Sequence, residues 1–200
     1  MKTSKIFFLY KILLVIAISI SCTNETTTPT ENSNPIIPID TGSIDGYATV
    51  QIGNQIWMAE NLKITNAPDG SVLQGVYAYD NNENYVTEYG RLYTWQAAQN
   101  ACPAGWHLPS LNEWDALIAT VGTDPGTKLK VGGSSGFNAK MGGRKSGGTF
   151  GYMGQLGLYW TSTTDNPDHA YQKLFISTES GVQSDQTPVD GGLSVRYIRD

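Results

Sequence analysis

Residues 101–117 read ACPAGWHLPSLNEWDAL, and the second half of that stretch marks out a helix from both ends. Ser110 and Glu113 stand at the spacing where a serine side chain accepts from the N3 amide while the glutamate reaches back to the cap amide. Leu111, Trp114, Leu117, Ile118 and Val121 then recur along one face, and Gly122 ends the pattern. Upstream, the Ala-rich segment LYTWQAAQNA at 92–101 carries Trp95 and Ala98 at helical spacing and stops before Pro103, which predicts a first helix. Each helix carries an apolar stripe and so needs a layer to pack against.

That layer is legible on either side. YATVQI at 47–52 and QIWMA at 55–59 flank Gly53-Asn54, two short strands around a two-residue hairpin turn. Twelve of the 22 glycines fall between Gly122 and Gly157, too many for a helix, and predict a long irregular excursion held by turns. Beyond it LYWTST at 158–163, AYQKLFI at 170–176 and LSVRYI at 193–198 read as strands. The fold class expected is α+β: two helices, short antiparallel strands and long Gly-rich loops in one domain spanning 44–200.

The first 43 residues read differently. Lys2, Lys5 and Lys11 precede a nearly unbroken apolar run from Ile12 to Ile20, which closes Ser19-Ile20-Ser21-Cys22. The run is about half of the roughly 20 apolar residues a membrane-spanning helix needs, so a permanent span is not expected. Residues 1–21 have the shape of a secretory signal ending in small residues. Cys22 at the first mature position points to a lipoprotein, its thiol carrying diacylglycerol and its amino group an acyl chain such as palmitate, which together give stable membrane anchoring. Plain secretion is the alternative, and Ser19 stands where such signals most often carry Leu. Residues 23–43, TNETTTPTENSNPIIPIDTGS, are rich in Thr, Asn and Pro and are expected to be a disordered tether.

The chain beyond the signal keeps ten basic and all eighteen acidic residues, a net charge of −8. Without a basic footprint, nucleic acid and anionic headgroups are poor partners. Cys102 is the one cysteine after Cys22, so no intrachain disulfide framework supports the fold and stability must come from a core. Trp57, Trp95 and Trp114 are expected in that core.

The blocks VQIGNQIWMAENLKI (50–64), YGRLYTWQAA (89–98), ACPAGWHLPSLNEWDAL (101–117), GFNAKMGGR (136–144), GLYWTST (157–163) and SVRYIRD (194–200) resemble the Fibrobacter succinogenes major paralogous domain. The resemblance implies an exported lipoprotein of a Bacteroidetes-like bacterium, in agreement with Cys22. More distantly, WHLPSLNEW resembles the sulfatase-modifying domains, which implies a C-type-lectin-like fold. Those enzymes work with a C-terminal cysteine pair, and no cysteine follows Cys102, so that oxidase chemistry is excluded. Relatives often end in S-V-R-C; here Tyr197 takes the cysteine's place, and Cys102 reads as a buried small hydrophobe.

Catalytic constellations fail their physical requirements. His107 and His169 lie 62 positions apart, too few and too far for a zinc site, and His107 reads as a hydrogen-bonded structural histidine. Gly132-Gly133-Ser134-Ser135-Gly136 satisfies G-x-S-x-G without the helix a nucleophile elbow requires. Asp165, Asp168, Asp185 and Asp190 sit in polar segments that predict solvation, not a pair of catalytic carboxylates. Asp80–Asn84 and Asp165–Asp168 offer calcium-type oxygens but read as polar turns bonding their own backbone. No catalytic residue, metal or cofactor is expected.

Phe150, Tyr152, Tyr159 and Trp160 follow the glycine-rich stretch and are the candidate ligand-binding residues, rings that could stack on a sugar face or grip a protein. The functional expectation is a lipid-anchored cell-envelope protein, at the outer membrane, carrying a non-catalytic binding or adhesion domain for a glycan or an envelope protein. A carbohydrate-active enzyme and a structural envelope protein are the alternatives.

Overall fold

The structure, a computed structural model, describes residues 46–200. The expected signal peptide, lipidated Cys22 and tether lie outside the described residues. No helix among the described residues is long and apolar enough to cross a membrane.

In chain order the elements begin with β1 (Thr49–Ile52), β2 (Gln55–Met58), β3 (Val76–Tyr77), a one-turn α1 (Val86–Tyr89) and β4 (Leu92–Tyr93). Then come α2 (Trp95–Asn100), β5 (Trp106–His107), α3 (Leu111–Val121) and α4 (Pro125–Leu129). The hairpin strands β6 (Arg144–Ser146) and β7 (Thr149–Gly151) precede β8 (Leu156–Asn166), β9 (His169–Ile176), β10 (Gln183–Pro188) and β11 (Ile198–Arg199). The fold is α+β, with antiparallel sheets ordered β1-β2-β11-β5 and β10-β9-β8 and two-stranded ladders β3-β4 and β6-β7.

The β1–β2 hairpin forms in the expected register, Val50 opposite Trp57, with Gly53 at positive φ in the turn. The last strand, β11, then inserts beside it, so that Ile198 faces Trp57 on one side and His107 on the other. The chain therefore closes its first sheet with its last residues. Helix α3 starts as its spacing predicts: Glu113 N donates to Ser110 Oγ at 3.2 Å, and Ser110 N donates to Glu113 Oε2 at 2.7 Å. Helix α2 begins at Trp95, three residues later than expected, because Leu92 and Tyr93 pair with Tyr77 and Val76 and Thr94 caps the helix.

Strand β8 divides two apolar cores. Leu158 and Trp160 point into one, with Met58, Tyr93, Val195 and Tyr197. Tyr159 points into the other, where Trp114 of α3 lies 4.8 Å from Trp57, 5.5 Å from Phe137 and 6.2 Å from Phe175, ring centroid to ring centroid. Burying each such side chain stabilises the fold by roughly 1.5–3 kcal/mol. Trp57 and Trp114 are core residues as expected, and Trp95 packs at the edge of the first core.

The segment 193–198, expected as one strand, is regular only at Ile198, where β11 begins. Leu193 makes a single bridge to Tyr93 and Ser194 one to Tyr159, and every residue from Gly191 to Ile198 is buried. The segment threads between two sheets and trades ladder bonds with each in turn. The glycine-rich excursion is irregular for much of its length, as expected, but also holds α4 and the β6–β7 hairpin.

Candidate functional site

Arg144 to Gly151 fold into a hairpin because Gly147 and Gly148 both take positive φ, +53° and +84°, at the two central turn positions. Its base is tied down by Lys145, whose amide donates to Gly192 O and whose carbonyl accepts from Gly192 N, both at 2.9 Å. Gly143 beneath it has φ +68°, and a Cβ there would come within 2.4 Å of Gly151 O and 3.0 Å of the Tyr79 ring. No other residue fits where the hairpin meets that ring.

Aromatic rings collect around this hairpin. Phe150 lies 5.4 Å from Tyr79, which in turn meets Tyr85 edge-on at 6.1 Å. The Lys145 ammonium sits 4.3 Å above the Tyr77 ring, and the Arg144 guanidinium 5.3 Å over Tyr152. Tyr152 itself is 48 % exposed and holds φ at +67°, a region that bulky residues avoid. It is kept there because its carbonyl accepts from both Gln155 N and Leu156 N. Tyr152 thus combines an exposed ring, a strained backbone and a cation over its face.

Phe150 and Tyr152, two of the four residues expected to meet a ligand, therefore share this face. The other two do not. Tyr159 is fully buried, its hydroxyl accepting from Lys140 N at 2.7 Å and lying 2.8 Å from Lys140 O and 3.2 Å from Asn61 Oδ1. Trp160 is fully buried with its Nε1 donating to Tyr93 O at 2.6 Å. Over residues 157–161 both faces of β8 are covered, so its consecutive rings serve the two cores and neither is open to a ligand. Tyr77, Tyr79, Tyr85, Arg144 and Lys145 were missed in the sequence reading; the Gly147-Gly148 turn in RKSGGTF was the signal that could have found the hairpin.

The other residues weighed for chemistry are either bonded within the fold or exposed on its surface. His107 donates or accepts at both nitrogens, Nδ1 to Asp200 Oδ1 at 2.7 Å and Nε2 to Glu113 Oε1 at 2.8 Å. Burial works against its charged form, but the bonds to Asp200 and Glu113 and their charges prevail, and its pKa is raised. Cys102 donates its thiol to Trp106 O at 3.0 Å, and burial, followed by the Asp200 charge, pushes it up to about 12. Ser135 donates to Lys128 O, fixing the glycine-rich loop, while Ser134 is exposed with no helix behind it. Asp165, Asp168, Asp185 and Asp190 are all exposed. Asn82 accepts from Asn84 N and Asn166 from Asp168 N, the local turn bonding expected of both oxygen-rich stretches. Among the described residues, no three His, Cys, Asp or Glu side chains converge in a metal-ligating group.

The family blocks read from the sequence supply most of the two cores, whereas Lys145, Phe150 and Tyr152 of the aromatic face lie between the fourth and fifth blocks and Tyr77, Tyr79 and Tyr85 between the first and second. Comparison with curated proteins and with solved structures gives no match. The family model of the Fibrobacter succinogenes major domain matches residues 50–199, three quarters of the chain, and the protein belongs to that family.

Proposed function

We propose that this protein is a lipid-anchored, non-catalytic binding module of the bacterial cell envelope, attached to the outer membrane through Cys22 and gripping an envelope protein with the face around Tyr152. The observation that carries the reading is Tyr152 itself, exposed, backbone-strained and topped by Arg144. Tyrosine and arginine dominate the energetics of protein interfaces, and a fixed ring loses little entropy on binding. The side-by-side placing of β1-β2 and β11, with a long loop excursion between α3 and β8, supports a C-type-lectin-like reading of the domain.

The test is a photo-crosslinking residue at position 152 in intact cells, with the same probe at exposed Thr120 as control. A discrete crosslinked species at 152 alone, lost on Arg144→Ala, supports the reading; equal crosslinking at both positions overturns it. Anchoring is tested separately. Cys22→Ala should move the protein from the membrane to the soluble fraction and abolish incorporation of labelled palmitate.

A further inference from the structure

We infer that the cleft between residues 66–75 and α2, about 580 Å³ in volume, is a binding site for a neutral oligosaccharide. It is a different surface from the Tyr152 face and does not rest on the partner proposed for it. Its size lies within the roughly 300–1,000 Å³ that small-molecule sites occupy.

One wall is a tight loop that holds its own shape. Ala67 N donates to Ser71 O and Leu73 N to Thr65 O, Asn66 Nδ2 donates to Gly70 O, and Asp69 Oδ1 accepts from both the amide and the hydroxyl of Ser71. At its base Thr94 N donates to Gly75 O at 2.8 Å, and a Cβ on Gly75 would stand 2.4 Å from Thr94 Oγ1. The loop is thus pressed onto the start of α2 by a contact only glycine permits. The other wall is α2, where Gln96 Nε2 donates to Asn100 Oδ1 at 2.9 Å. Walls fixed before a ligand arrives reduce the ordering entropy of binding.

The chemistry of the lining selects the ligand. Gln96 keeps its carbonyl oxygen, Asn100 its NH₂ group, and Asp69 a second carboxylate oxygen; for the Gln74 side chain no partner is seen among the described residues. The lining therefore offers both donors and acceptors, as neighbouring hydroxyls that both donate and accept require. Among the described residues that line the cleft there is no lysine or arginine and the one charge is Asp69, which repels anions, so phosphates and acidic sugars do not fit. The apolar part includes Ala67, Leu73, Gly75 and Ala97, small aliphatic groups that can meet the C–H face of a sugar ring. Val72 stands 68 % exposed at the lip, apolar surface that a bound ring would cover.

The test uses the full chain in a detergent without a sugar headgroup, titrated with cello-, xylo-, manno- and maltohexaose, with hexagalacturonic acid and a capped neutral hexapeptide as comparators. Saturable binding of at least one neutral hexasaccharide is expected, weakened about tenfold by Gln74→Ala and again by Asn100→Ala. Gln74 is exposed and makes no bond that the fold needs, so its variant should melt with the wild type. Tyr152→Ala should bind the sugar normally, which separates this site from the hairpin face. The inference is overturned if no neutral hexasaccharide binds, if binding survives both cleft substitutions in folded protein, or if the peptide or the acidic sugar binds in preference.

Discussion

Arg196 Nε donates to Asn61 Oδ1 at 2.8 Å, joining residues 135 positions apart inside a core where neither side chain meets solvent appreciably. The same guanidinium donates to Met58 O, Phe137 O and Asn138 O, and it lies 4.8 Å over the Phe137 ring. Among the described residues no carboxylate bonds to it; its charge is spread over carbonyl dipoles, and burial draws its pKa down to about 10, still protonated at neutral pH. It therefore clamps the first hairpin, the glycine-rich excursion and the C-terminal segment. Arg196→Leu strands these carbonyls and should destabilise the protein by about 3–5 kcal/mol, read as a lowered urea midpoint. Arg196→Lys should recover only part of that loss, because a single ammonium cannot span acceptors set around a planar fork.

Trp160→Ala should prove a core lesion and not a binding lesion. Its ring is fully buried and its Nε1 is bonded to Tyr93 O, so truncation leaves a cavity and an unpaired carbonyl and should lower stability by about 3–5 kcal/mol. A stable, fully cooperative Trp160→Ala variant would contradict the two-core description of β8.

Features closed within a few residues are legible in this sequence, and those that depend on distant segments are not. The capping box of Ser110 and Glu113 and the Gly53-Asn54 turn were legible because each is a local arrangement, complete within a few residues. LYWTST was legible as a strand, but not that both faces are covered at Leu158 to Thr161; burial on two sides depends on α3 and on residues 193–197, far away in sequence. Strand β10, QSDQTP, escaped because it is an exposed edge strand with Thr187 its one buried residue, so no alternation of apolar residues announces it. The candidate face was half legible for the same reason: Phe150 and Tyr152 are near neighbours, whereas Tyr79 and Tyr85 reach them only through the fold.

His107 should make stability fall on the alkaline side. Its folded pKa is raised above the ordinary 6.5, so its contribution is whole below that value and is lost as pH rises through the raised one. Glu113 behaves oppositely. Burial opposes its charge, but the Ser110 amide and His107 hold it below the ordinary 4.5, so its contribution is whole above that value and lost as pH falls. Thermal melting should show a plateau between about pH 4.5 and 6.5 from this pair of groups. His107→Gln should flatten the alkaline limb, and Asp200→Asn should move that limb to lower pH.

Cys102 should be a poor nucleophile in the folded protein. With its thiol pushed up from 9.0 to about 12 and bonded to Trp106 O, the thiolate is scarce at neutral pH. Residue-resolved mass spectrometry should find alkylation by iodoacetamide at pH 8 at least about a hundredfold slower than for an unperturbed thiol, with ordinary reactivity returning in denaturant. Rapid native labelling at Cys102 would show that the side chain is not held as described.

Tyr152→Gly separates strain from packing. A tyrosine at φ +67° carries about 1–2 kcal/mol of backbone strain that glycine does not. Glycine forfeits the contact under Arg144 and adds freedom to the unfolded chain, so the two effects should nearly cancel and leave stability within about 0.5 kcal/mol of the wild type. If the ring is retained for an interface, the same variant should lose partner capture in cells by at least tenfold while its melting temperature stays unchanged. A ring kept only to anchor the loop would show the reverse pattern, a clear drop in melting temperature with capture intact. The two readouts move independently, so this one substitution decides what the strain at Tyr152 is for.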